Sequence, residues 1–222
     1  MLDPATCGPA FIGLAQDAQA EAYDYPEAFF EKTVHRIPRA RPDADALREA
    51  VKLLRKAKKP LIIAGGGVHW SLANDALAAF AEKHNIPVAE TINGRTAIVH
   101  DHPMNVGPIG INGSTSANSL AKDADVVLAI GTRLQDFITA SWTVFGEDTR
   151  IIGLNAARFD AVKHRSLAVV GDALVGIEEM SEALTDWRAP ESWAKRGAKE
   201  YAAWNALIDK VSGPTNAEVP SY

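Results

Sequence analysis

Apolar positions along the chain change their period several times, and each change marks an element. Between residues 43 and 58, Leu47, Ala50, Val51 and Leu54 recur at helical spacing, and Pro60 stops that pattern because it has no N–H for a helix ladder. The run Leu61-Ile62-Ile63-Ala64 is a short strand that feeds directly into Gly65, Gly66 and Gly67. Helical spacing then returns, with Ser71 as the expected N-cap, and carries through about Lys83 with Leu77, Phe80 and Ala81 as its buried face. Residues 86–91 read as the second strand, and 126–130, 151–154 and 167–170 are short apolar runs, the form of strands covered on both faces. Helices are predicted over 115–122 and over 173–184, the latter capped by Asp172 with Leu174, Ile177 and Leu184 on one side. Strand and helix in alternation predict an α/β fold: a three-layer, doubly wound parallel sheet of about six strands with crossovers of one hand, a Rossmann-like arrangement.

The flanks read differently. Residues 1–42 hold Pro4, Pro9, Pro26, Pro38 and Pro42 with little sustained period, so they are expected to run extended over a surface and not to form a domain. Residues 187–190 read as a linker, after which Trp193, Arg196, Glu200, Trp204 and Ile208 recur at helical spacing to about Val211, a helix without an evident sheet partner. The polar, proline-containing stretch 212–222 is expected to be mobile. The organisation expected is therefore an entry segment (1–42), a central α/β domain (43–186) and a helical linker (187–222), an excerpt that begins and ends in connectors.

Composition narrows the function. The 222 residues are 47% hydrophobic, enough for one sizeable core, and the net charge of -5 offers no electrostatic footprint for nucleic acid or an anionic membrane. The basic stretch 55–59 falls at a helix C-terminus, where cations meet the favourable end of the dipole. A single cysteine, Cys7, excludes an internal disulfide and a multi-cysteine zinc site and fits a reducing compartment. No apolar run reaches the ~20 residues of a membrane span, and no basic-then-apolar leader opens the chain, so a cytoplasmic location is expected.

In an open α/β sheet, ligands bind beyond the carboxyl ends of the strands. The residues found there are Gly65, Gly66 and Gly67 after the first strand, Thr91 leading into 92–95 after the second, Gly131-Thr132-Arg133, then Asn155, then Gly171-Asp172. Bare amides and Arg133 suit phosphate, and Asn155 or Asp172 suits ribose or adenine, so these residues form a candidate nucleotide crevice. The competing explanation is that they are turn glycines and helix caps, and the full G-x-G-x-x-G spacing is absent. His100 and His102 flank Asp101 without a third ligand nearby, so no metal site is expected. Ser114 sits where a loop enters a helix, outside any Gly-x-Ser-x-Gly elbow, and reads as a cap. No residue is singled out as catalytic.

Several of these segments together resemble the middle domain of thiamine diphosphate-dependent enzymes, the acetolactate synthase-like family. The resemblance rests on 60–67 with its triple glycine, Asn85 through Thr91, the Gly107-x-x-Gly110 loop ahead of Ala117-Asn118, 125–133, and Val170-Gly171-Asp172. Within that family, 131–137, 154–164 and 19–26 are most similar to the branch that opens the cyclic dione of inositol breakdown by hydrolysing a carbon–carbon bond. The resemblance implies that 1–25 is the exit of a preceding pyrimidine-binding domain and that 187–222 leads into a diphosphate-binding domain. Those two domains, the implied partners, carry the cofactor-activating Glu and the Gly-Asp-Gly magnesium motif, which Gly171-Asp172-Ala173 is not. It further implies thiamine diphosphate and Mg2+ in a parent that is a homodimer or homotetramer, and an inactive fragment. FAD-binding members carry Asp-x-Asp where this chain has Asn155 and Ala157, so FAD is not expected. The alternatives are a carboligase or decarboxylase of the same family and a nucleotide-binding regulatory module.

Overall fold

The computed structural model describes residues 2–213; the tail expected to be mobile falls outside them from residue 214 on. The elements in order are α1 (Ala44–Lys56), β1 (Pro60–Ala64), α2 (Gly66–Trp70), α3 (Asn74–His84), β2 (Val88–Glu90), β3 (Asn105–Pro108), α4 (Thr115–Asp123), β4 (Val126–Ile130), α5 (Asp136–Thr139), β5 (Arg150–Asn155), α6 (Arg158–Ala161), β6 (Leu167–Val170), α7 (Ala173–Leu184) and α8 (Glu191–Val211). Six parallel strands form one sheet in the order β3-β2-β1-β4-β5-β6, the doubly wound arrangement whose direction of winding reverses between β1 and β4.

Strand alternation divides the core into two layers. Ile62, Ala64, Leu128, Ile130, Ile152 and Leu154 point to the side covered by α1, α3 and α7. Leu61, Ile63, Val127 and Ala129 point to the opposite side, beneath Ala117, Leu120 and Ala121 of α4 and Trp193 of α8. Every residue of β1 and β4 is buried, which is why both read as uninterrupted apolar runs. Each fully buried Leu or Ile contributes about 1.5–3 kcal/mol of transfer free energy, so the two central strands anchor the fold.

Two expectations need correction. The edge strand β3 was not among the strands read from the sequence, because Asn105-Val106-Gly107-Pro108 carries one aliphatic side chain beside a glycine and a proline. With β3 present, α8 has its sheet partner: Gly197 lies so close to Val106, Leu120 and Pro87 that a Cβ there would stand 3.0 Å from Val106 Cγ1. Ser71 does not cap α3, whose N-cap is Ala73 without a side-chain hydrogen bond. Ser71 instead terminates the short helix α2 and turns its hydroxyl toward α7.

The entry segment is exposed from residue 5 to residue 41 and contains only two single-turn 3-10 helices, Ala18–Ala20 and Glu27–Phe30. Its last residues meet the domain. Pro42 is buried, and a Cβ on Gly171 would lie 2.8 Å from the Pro42 ring.

Candidate functional site

The sequence places its candidate residues at the carboxyl ends of β1, β2, β4, β5 and β6, and the structure shows what each does there. The strand ladders continue past the ends. Gly65 N–H donates to the Ile130 carbonyl at 2.8 Å, Gly67 N–H to the Gly131 carbonyl at 2.9 Å, and Gly131 N–H to the Leu154 carbonyl at 2.8 Å. Two of the three glycine amides that would cradle an anion are thus spent within the sheet. The glycines serve close approach of backbones. A Cβ on Gly67 would lie 2.5 Å from Gly131 Cα, and one on Gly65 would lie 2.6 Å from Thr132 Cβ. Gly131 adopts φ +59, which favours glycine. Gly66 has more room, its nearest prospective neighbour being the Asn93 carbonyl at 3.1 Å.

The polar candidates are also engaged within the chain. Thr91 is buried and accepts from Gly94 N–H at 3.0 Å, closing the turn after β2. Thr132 accepts from Leu134 N–H at 3.3 Å. Asn155 donates to the Thr132 carbonyl at 3.0 Å and accepts from Ala157 N–H at 2.9 Å, so its amide ties the exit of β5 to that of β4. Gly65, Gly67, Gly131, Thr132 and Asn155 therefore do come together at the point where the winding reverses. Arg133 is exposed beside them, and its carbonyl accepts from Lys163 Nζ at 3.1 Å.

Asp172 stands apart, beyond β6. It is buried, caps α7 through the Leu174 and Val175 amides, and accepts from Ser71 Oγ at 2.9 Å. Arg39 completes the group, reaching both Asp172 oxygens and the Ser71 carbonyl through one nitrogen. The cap was legible from sequence, while Arg39 carried no signal among residues without a period. Ser114 is a cap as expected, accepting from Ala117 N–H at 3.1 Å. His100 and His102 face different partners: the Tyr201 hydroxyl lies 2.9 Å from His100 Nδ1, and Met104 N–H donates to His102 Nδ1 at 3.1 Å.

Glu90 is the buried ionisable group that sequence reasoning passed over. It ends β2 and accepts from Ile98 N–H at 3.3 Å. Burial pushes its carboxyl above the ordinary value, opposed by that hydrogen bond and by the Arg95 charge. His84, at the end of α3, is held the other way: burial lowers its pKa against the raising effect of its hydrogen bond to the Trp187 carbonyl at 2.7 Å. Both groups brace loops, Glu90 the turn that contains Ile98 and His84 the linker at Trp187.

Residues 47–180 match the family model described as the thiamine pyrophosphate enzyme, central domain. The chain belongs to this family. This central domain of thiamine pyrophosphate enzymes is also similar over nearly its whole length to proteins named 3D-(3,5/4)-trihydroxycyclohexane-1,2-dione hydrolase. The identity is 44% over 211 residues with the protein from Geobacillus thermodenitrificans and 45% over 212 residues with that from Clostridium tetani, each alignment covering 95% of this chain. It is 42% over 213 residues with the protein from Clostridium perfringens, covering 96% of this chain. The chain spans 33% of the length of each of these relatives.

A thiamine diphosphate would need a cation held by oxygen ligands to anchor its diphosphate. Among the described residues, no group of three or more His, Cys, Asp or Glu side chains is placed to hold a metal ion. In the glycine turn that most resembles a phosphate cradle, the Gly65 and Gly67 amides are spent on the carbonyls of Ile130 and Gly131. The described residues of this central domain do not fit that cofactor, and no step of its chemistry is assigned to them. No helix among them is long and apolar enough to cross a membrane.

Proposed function

We propose that this chain is the central, non-catalytic domain of a thiamine diphosphate-dependent hydrolase that opens the ring of 3D-(3,5/4)-trihydroxycyclohexane-1,2-dione in inositol catabolism. The observation that carries the reading is similarity at 42–45% identity that runs well outside the 47–180 core of the family, into the entry segment and α8. In this reading residues 1–42 are the exit from a pyrimidine-binding domain, 43–186 the central domain, and 187–222 the lead into a diphosphate-binding domain. The parts of the parent outside this chain hold thiamine diphosphate and Mg2+. The parent is a cytoplasmic homodimer or homotetramer, and the chain alone is inactive.

The crevice at the strand exits is, in the same reading, a vestige of nucleotide binding: its glycines and amides support the turns, and neither FAD nor an adenine nucleotide occupies it. Titration of the chain with FAD and with ADP is expected to release no heat of binding.

The test is incubation of the longer polypeptide containing this chain with the dione, with and without thiamine diphosphate and Mg2+. Ring opening that requires both is the expected result. Condensation of pyruvate or glyoxylate without opening of the dione moves the parent to the carboligases. Turnover of neither kind, with tight nucleotide binding, replaces the proposal by a regulatory module.

A further inference from the structure

The exposed apolar side chains of residues 44–186 are not scattered. None of the large ones lies on α1, α3, α4 or α7, whose outer faces are polar. Seven of the eight lie within eight residues of the carboxyl end of a strand: Trp70 and Leu72 after β1, Ile92 after β2, Ile111 after β3, Phe137 after β4, and Phe159 and Val162 after β5. Trp70 is 83% exposed and Phe159 76%, so these are full side chains in water and not edges of the core. Isolated exposed hydrophobics are ordinary on a soluble protein, but their concentration on one end of a sheet marks a surface that is covered.

Both chain connections lead to that same end. The entry segment arrives there, since the Ala40 carbonyl accepts from Asp172 N–H at 2.8 Å just past β6 and Arg39 is tied beside it. The segment brings its own exposed apolar cluster: Tyr25 packs against Tyr23 at 5.1 Å and Phe29 at 4.8 Å between ring centroids, and all three are more than half exposed. Helix α8 begins at the amino end of the sheet, where the Trp193 indole N–H donates to the Pro60 carbonyl. It passes Val106 at Gly197, reaches Gly107 at Tyr201, and then exposes Leu207, Ile208 and Val211.

We propose that the carboxyl-end face of the sheet is the surface on which the flanking parts of the same polypeptide dock. The entry segment and the last turns of α8 form the edges of one continuous apolar interface. The inference rests on the family reading above, because the relatives are about three times as long as this chain and the family is that of a central domain. A second copy of the chain is the competing occupant. It is disfavoured because the chain connections themselves arrive at this face and occupy its edges.

The test compares hydroxyl-radical footprinting of this chain with that of the longer polypeptide. Trp70, Phe137 and Phe159 are expected to be strongly oxidised in the chain alone and protected several-fold in the longer polypeptide, with protection independent of protein concentration. Protection that appears in the chain alone as its concentration rises, with a dimer by light scattering, assigns the face to a second copy and overturns the proposal. Oxidation equal in both samples overturns it as well. As a second arm, Phe137→Ser with Phe159→Ser is expected to leave the melting temperature of the chain alone unmoved and to separate the unfolding of the longer polypeptide into two transitions. Dione opening assayed on the same longer polypeptide keeps the two hypotheses apart: protection without turnover sinks the hydrolase reading alone, and turnover without protection sinks the docking face alone.

Discussion

Arg39 and Asp172 meet through a single guanidinium nitrogen that lies 2.9 and 3.0 Å from the two carboxylate oxygens, joining the entry segment to the start of α7. The same carboxylate caps the helix and holds Ser71, so one buried side chain fixes three parts of the chain that are remote in sequence.

Asp172→Ala removes the cap, the pairing with Arg39 and the Ser71 contact together, and is expected to cost about 2 kcal/mol in urea unfolding. Asp172→Asn keeps a capping oxygen, loses the ion pair, and replaces the oxygen that accepts from Ser71 Oγ by an amide that donates, so the serine hydroxyl must turn to accept. Because Arg39 is 37% exposed, the ion pair itself accounts for less than about 1 kcal/mol, and Asp172→Asn is expected to cost less than Asp172→Ala. Equal losses in the two variants would show that the cap contributes nothing.

His84 and Glu90 give stability opposite slopes with pH. Burial holds the His84 pKa below 6.5, so the unfolded chain binds more protons in the window beneath that value. The contribution of His84 is present above pH 6.5 and is lost as pH falls through its folded value. Burial holds the Glu90 pKa above 4.5, so its contribution is present below that value and is lost as pH rises through the folded one. Urea midpoints measured between pH 4 and 8 should lose the rising component in His84→Gln and the falling component in Glu90→Gln.

The three consecutive glycines should respond differently to one methyl group. Gly67→Ala forces a Cβ to within 2.5 Å of Gly131 Cα, backbone that cannot swing aside, and is expected to cost about 2 kcal/mol or more. At Gly66 the nearest atom is 3.1 Å away and the residue is helical, so the propensity gain of up to about 1 kcal/mol offsets the crowding. Thermal melts of the two variants should separate clearly, with Gly66→Ala close to the parent.

Trp193→Phe leaves the Pro60 carbonyl without the indole N–H that meets it at 2.8 Å in a buried position. The expected cost is about 1–2 kcal/mol. Amide exchange should report it as faster opening of α8 with β1 unaffected.

The central strands were legible because full burial on both faces leaves no polar residue to interrupt the run. β3 was not, because it is an edge strand whose Gly107 and Pro108 read as a turn, and α8 lost its visible partner with it. The alternation of strands and helices located the strand exits, and with them the glycines, Thr132 and Asn155. Local pattern does not show where their hydrogen bonds go: the Asn155 amide looks equally suited to a ribose hydroxyl and to the Thr132 carbonyl it meets. Arg39 was invisible for the same reason, since its meaning lies wholly in a partner 133 residues away.

The path of α8 along the sheet also has a mechanical consequence. Its contacts with Pro60, Asp123 and Val106 form a seam on the outer side of the molecule, and the Arg39 clamp closes the opposite edge beside β6. A load drawn between the two ends of the chain is expected to peel the helix and open the clamp before it shears a strand pair, an order that force spectroscopy would read as a low-force step ahead of the rupture of the sheet.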